Sequence, residues 1–243
     1  MRLIVTRPDP DAAPLIAALE RAGIATLHQP VFIIRFRQEG LPDLSGCQAI
    51  IVTSRNGVRA LTRARAEADV FSLPVFAVGD SSAALAREAG FGTVYSADGD
   101  VHDLTALIRR HLKPGDDWLL HAAGSRVARD LGGLLADEGY TVRREVLYRA
   151  EAADRLNDSC RAALAEGKAE GVVFYSPRSA VTFASLVQAA DLSAACARMT
   201  AFCLSPAVAG AFAGLYWQRV ITASRPRQDA LMEKIFAYRQ QKD

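Results

Sequence analysis

The 243-residue chain suits one large domain or two smaller ones, and half of it is apolar, enough to fill a sizeable core. Its 29 basic and 27 acidic residues are well mixed and leave a net charge of +2, which argues against a general grip on nucleic acid. Four cysteines without a C-x-x-C pair (Cys47, Cys160, Cys196, Cys203) and four scattered histidines (His28, His102, His111, His121) speak against a metal site and for the reduced, buried thiols of a cytosolic protein.

In chain order, the opening "MRLIVTRPDP" has too short an apolar run for a signal peptide and reads as a first strand ending at Thr6-Arg7. Further apolar or β-branched runs predict strands near 24–34, 48–53, 75–78, 93–96, 118–121, 141–148, 171–175, 200–204 and 219–222, separated by stretches of helical spacing. Five junctions are rich in small polar residues: Thr53-Ser54 with Asn56 and Gly57, Gly79 to Ser82, Gly124-Ser125, Ser176 to Ser179, and Ser205-Pro206. The uncharged window Met199–Trp217 approaches the length of a membrane span, but Ser205-Pro206 divides it, so strand, turn and helix are predicted there instead. Strands that alternate with helices predict parallel α/β sheets, and ten strands suit two five-stranded, flavodoxin-like sheets.

An internal repeat supports two lobes. Residues 3–32 lie over 119–148 without a gap, matching Leu3 to Leu119, Leu15 to Leu131, Gly23 to Gly139 and Phe32 to Tyr148. Residues 75–108 lie over 201–234, matching Phe76 to Phe202 and Val94 to Val220, and Ser54 corresponds to Ser176. The extended runs "HQPVFIIRFRQ" and "TVRREVLYRAE" match each other in this repeat. If both are crossovers, residues 1–34 and 151–243 form one discontinuous lobe and 38–147 an inserted one, with 35–37 and 148–150 as a two-stranded linker acting as a hinge.

The polar junctions carry the chemistry. A helix that starts directly after a strand presents unpaired N–H groups and about half a positive charge, which together with hydroxyls hold an anion without a metal. Serine at an N-cap is also ordinary helix punctuation. No G-x-G-x-x-G follows a strand and no G-x-x-x-x-G-K-[ST] occurs, so dinucleotides and nucleoside triphosphates lack support. Ser176 lies outside a G-x-S-x-G elbow, which speaks against a serine hydrolase. Many separated anion sites suit a ligand with dispersed carboxylates. An excess of Arg over Lys (25 to 4) fits carboxylate recognition, though genomic base composition gives the same skew.

At these residues the chain resembles the uroporphyrinogen-III synthase family. The likeness runs through "TRP", "TSRNGV", "VFAVGDSSA", the "G…LL…EG…V…VLY" segment and "FYSPRSAVTF". It implies two α/β lobes on a two-stranded linker, and a cytoplasmic, monomeric tetrapyrrole enzyme with no cofactor, no metal and no nucleic-acid or membrane partner. The implied substrate is hydroxymethylbilane, a linear tetrapyrrole with eight carboxylates, which is cyclised with loss of water and inversion of ring D. By the same resemblance Tyr148 matches the linker tyrosine of the family and is the catalytic candidate, its phenol placed to assist the departing hydroxyl; a junction aromatic like Phe32 is the plainer reading. Arg7, Thr53, Ser54, Asn56, Gly79, Ser81, Ser82, Gly124, Ser125, Ser176, Arg178, Ser179 and Ser205 are the substrate-binding candidates. Arg7 serves equally as a brace within its lobe. The family's second glycine motif appears here as "CLSPAVA", so that Ser205 stands for glycine and Val208 for a hydroxyl residue, and "SPRSAV" carries one residue more than the commoner form. A non-catalytic, two-lobed anion- or tetrapyrrole-binding protein is the alternative.

Overall fold

The computed structural model describes residues 1–64, 68–126, 130–212 and 214–241. Elements alternate from the start: β1 (Arg2–Val5), α1 (Ala12–Arg21), β2 (Ala25–His28), β3 (Phe32–Phe36), β4 (Cys47–Val52) and α2 (Arg55–Arg63). There follow β5 (Val75–Ala77), α3 (Asp80–Glu88), β6 (Val94–Ser96), α4 (Val101–His111), β7 (Trp118–Gly124), α5 (Leu131–Ala136) and β8 (Thr141–Ala152). The chain ends with α6 (Asp158–Ala165), β9 (Gly171–Phe174), α7 (Pro177–Ala189), α8 (Ser193–Cys196), β10 (Thr200–Cys203), α9 (Pro206–Ala209), β11 (Arg219–Thr222) and α10 (Gln228–Gln240).

Two compact units result, residues 1–33 with 151–243, and residues 34–150. In the first, a five-stranded parallel sheet runs β11-β10-β9-β1-β2. Strands covered on both faces must be apolar throughout, and β1, β9 and β10 are nearly all buried. On one face Leu3, Val5, Val173 and Phe202 pack under Leu15 and Leu19 of α1 and Leu231 and Ile235 of α10. Facing the other way, Phe174 meets Phe183 of α7 edge-on, with ring centres 5.4 Å apart. The one hydroxyl buried at the start of β10 is satisfied within the unit, since Thr200 donates to the phenol oxygen of Tyr238 on α10 at 2.9 Å.

In the second unit the order is β3-β8-β7-β4-β5-β6. Ile50, Val52, Leu120 and Ala122 face α2 and α3, while Ala49, Ile51, Phe76 and Leu119 face α4 and α5. Omitting β3, the repeat carries β1 to β7, β2 to β8, β9 to β4, β10 to β5 and β11 to β6. Both sheets then have one order, and the flavodoxin-like layout predicted from the repeat is present in each.

Two details differ from the sequence-based reading. The run 24–34 is not one strand but two, β2 and β3, divided at Gln29-Pro30, because proline has no N–H to give the ladder. The second sheet therefore has six strands rather than five. Hydrogen bonds from Arg37 N–H to the Leu147 carbonyl (2.8 Å) and from Ala153 N–H to the Val31 carbonyl (3.0 Å) run β3 antiparallel to β8. The uncharged stretch from Met199 contains β10 and the one-turn α9, and no helix among the described residues is long and apolar enough to cross a membrane. All four cysteines are free and buried.

Candidate active site

Thr53-Ser54 carries the chain from the end of β4 into α2. Ser54 has extended backbone (φ −158°, ψ 159°), and its Oγ accepts the Gly57 N–H at 3.2 Å, satisfying one of the helix's orphan donors. The same Oγ lies 2.8 Å from the phenol oxygen of Tyr148, which is 94 positions later on β8. Asn56 is half-buried and pairs along its own helix, its Oδ1 accepting from the Arg59 guanidinium at 2.9 Å. Gly57 is fixed by space: a Cβ there would stand 2.7 Å from the Ala122 carbonyl oxygen of β7.

A register shift aims Tyr148 at that point. β7 and β8 pair one to one from Trp118↔Thr141 to Ala123↔Val146, and then Gly124 pairs with Tyr148 rather than with Leu147. This bulge puts Leu147 and Tyr148 against the same end of β7, and both pack on the core under α2. The Tyr148 ring lies over Gly124, where a Cβ would stand 2.7 to 2.9 Å from three of its atoms. Ser125 N–H is bonded to the Tyr148 carbonyl at 2.9 Å, and Arg144 ties down the carbonyls of Gly124 (2.7 Å) and Ser125 (3.1 Å). Phe36 of β3 flanks the ring at 6.4 Å between centres.

Gly124, read from sequence with Ser125 as a further strand-to-helix junction, thus lies under the ring of Tyr148. Among the described residues the next helix is α5, which begins at Leu131 under the Asp130 carboxylate, and that carboxylate accepts the Gly133 N–H at 3.0 Å. The Gly79 junction does start a helix: Gly79 is the N-cap of α3, with open space where a side chain would be, and its carbonyl takes the Ser82 N–H at 3.1 Å. Ser81 is exposed and Ser82 buried, while the Asp80 carboxylate in the first turn already answers the helix dipole there and opposes a second anion.

In the other unit, Ser176 repeats the device of Ser54. Its backbone is extended (φ −151°, ψ 153°), its Oγ accepts the Ser179 N–H at 3.1 Å, and the two serine hydroxyls lie 2.7 Å apart. One of the two hydroxyl hydrogens is spent between them, leaving the other as a donor. Arg178, one residue into α7, stacks its guanidinium 4.1 Å above the Phe32 ring. Ser205 starts the short α9 without a side-chain cap. Arg7 lies at the end of β1, donates to Gln228 at 3.0 Å, stands 3.9 Å from the Asp11 carboxylate and stacks 4.3 Å over Tyr175. Burial pushes the Tyr175 phenol up to about 12, with the Arg7 guanidinium opposing the shift. These contacts are the ones a brace within the unit would make. The sequence reading named Gly57 only as part of the Ser54 junction and omitted Phe36, Arg144 and Tyr175. Gly57 and Tyr175 lie inside the quoted motifs, whereas Phe36 and Arg144 are brought in only by strand pairing.

The family model for uroporphyrinogen-III synthase HemD matches residues 13–233, most of the 243-residue chain. The chain belongs to the uroporphyrinogen-III synthase family. It is therefore an enzyme of that family, a lyase of tetrapyrrole biosynthesis, and nothing observed favours the non-catalytic alternative. No curated protein sequence matches it significantly. Among solved structures, uroporphyrinogen-III synthetase from Helicobacter pylori is similar at 18% identity, with 98% of this chain and 100% of that one covered and a TM-score of 0.66. A mutant uroporphyrinogen III synthase from the extreme thermophile Thermus thermophilus is similar at 20% identity over 100% of both chains, with a TM-score of 0.57. At these identities the structures establish the fold shared with the synthases.

Proposed function

We propose that this chain closes hydroxymethylbilane to the macrocycle with loss of water and inversion of ring D, acting as a cytoplasmic monomer, and that Tyr148 assists departure of the hydroxyl. As the carbon–oxygen bond breaks, the hydroxyl leaves as water with the phenol's proton. The proton that the pyrrole nitrogen loses as the azafulvene forms then restores the phenol. Ring D attacks the azafulvene through its substituted carbon, and the resulting spiro intermediate fragments and recloses the other way round. Because the free substrate cyclises without inversion, the protein must chiefly impose conformation. Ser176, Ser179 and the helix N-terminus of α7 are the proposed carboxylate anchors, with Arg178 and Ser205 of the same unit as further candidates and Thr53 as a candidate in the other unit.

The observation that carries the reading is a phenol held by a 2.8 Å hydrogen bond to a serine hydroxyl, on a strand bulge and over a glycine, in a chain of this family. A tyrosine serving only as packing has no need of that arrangement. One hydrogen bond to a developing charge contributes about 1.5–3 kcal/mol. Tyr148→Phe should accordingly lower kcat by about tenfold to a hundredfold with little change in KM, and the inverted isomer should still form. Full activity in a normally folded Tyr148→Phe protein would withdraw the catalytic role.

A further inference from the structure

The Ser54 hydroxyl has one hydrogen and already accepts the Gly57 N–H at 3.2 Å. Its 2.8 Å contact with the Tyr148 oxygen can be filled in two ways, with either hydroxyl as donor. If the phenol donates to Ser54, its hydrogen is not available to a departing hydroxyl. If Ser54 donates to the phenol oxygen, the phenol hydrogen is free and the oxygen is held on the side where negative charge develops. The second arrangement also uses every group once: Gly57 N–H to Ser54, Ser54 O–H to Tyr148, and Tyr148 O–H outward.

The ring has little choice of position. Gly124 gives it a floor that any Cβ would fill, the β8 bulge delivers it there, and Arg144 fixes the carbonyls of the turn that bears the floor. Gly57 lets α2 approach β7, and that approach brings the N-cap hydroxyl within reach of the phenol.

Resting on the reading of Tyr148 given above, we propose that Ser54 is a positioning residue: the hydroxyl that caps α2 donates to the phenol oxygen of Tyr148 and aims its hydrogen outward. Ser54 on this view is not a carboxylate anchor. The orientation of the catalytic tyrosine is tied to the start of a helix rather than to its own strand alone.

Ser54→Gly removes the hydroxyl while leaving an accepted N-cap residue, and Ser54→Thr restores both cap and hydroxyl. With [13Cζ]tyrosine-labelled protein, the signal lost in Tyr148→Phe identifies Tyr148. That signal should move in Ser54→Gly and return in Ser54→Thr. In turnover, Ser54→Gly should lose about fivefold to tenfold in kcat, as expected for one hydrogen bond, with KM within about twofold. The double variant Ser54→Gly/Tyr148→Phe should be no slower than Tyr148→Phe alone. Multiplying losses, a raised KM with unchanged kcat, or an unmoved Tyr148 signal would overturn the proposal. If Tyr148→Phe were itself fully active, the catalytic role would fall, and the labelled signal alone would decide whether Ser54 positions the ring.

Discussion

The His121 ring is 2% exposed on β7, and its Nε2 has no hydrogen-bond partner among the described residues. Burial, with the Arg144 guanidinium adding to it, holds the ring well below its ordinary 6.5, at about 4. A histidine kept neutral in the fold and charged when unfolded costs stability as pH falls. The loss begins near 6.5, where the unfolded chain takes up its proton, and levels off near 4, where the folded one does as well. At about 1.4 kcal/mol per pH unit, the span comes to about 3 kcal/mol. Urea melts of the wild type and His121→Leu at pH 7 and pH 4 should therefore show the variant gaining about that much relative to the wild type on acidification. An unchanged difference between the two would mean that the ring is protonated in the fold. At this scale the sequence offered types without pairings. Ser54 and Tyr148 stood out singly, one as a helix start and the other through the resemblance, yet 94 residues separate them and the bulge that joins them breaks the alternation by which a strand is read. For the same reason the sequence did not show that Gly124 lies under the Tyr148 ring, where a Cβ would meet it at 2.7 to 2.9 Å.

At the scale of elements, α2 is placed by Gly57. Alanine there would gain about 1 kcal/mol of helix propensity, but its Cβ would stand 2.7 Å from a backbone carbonyl of β7, and overpacking of that sort costs about 1–3 kcal/mol. The clash is with backbone rather than a flexible side chain, so the cost should win. Gly57→Ala should lower the melting temperature by several degrees, at about 2–4 °C per kcal/mol for a chain of this size. An unchanged or higher melting temperature would show that α2 can shift away without penalty. The elements themselves were legible because buried strands bear unbroken apolar runs and Ser54 and Ser176 announce helix starts. The run 24–34 misled because apolar residues resume directly after His28-Gln29-Pro30, where the ladder breaks. The antiparallel placement of β3 beside β8 depends on contacts between segments about 110 residues apart, which no local pattern encodes.

Across the whole molecule, the weak repeat was the most informative feature of the sequence. Matching of Leu3 with Leu119 and Phe76 with Phe202 became the equivalence of β1 with β7 and of β5 with β10, and gave two sheets of one strand order. What the repeat does not carry over is function, because its two halves differ where chemistry is proposed: Tyr148 corresponds to Phe32, which bears no hydroxyl and lies instead under Arg178. The central claim is that this chain imposes inversion of ring D on a substrate that otherwise closes without it. Purified protein incubated with hydroxymethylbilane, followed by oxidation and chromatography of the porphyrins, tests it directly. The account predicts the type III isomer in excess over type I. Type I alone, formed at the rate of a control without protein, would contradict it.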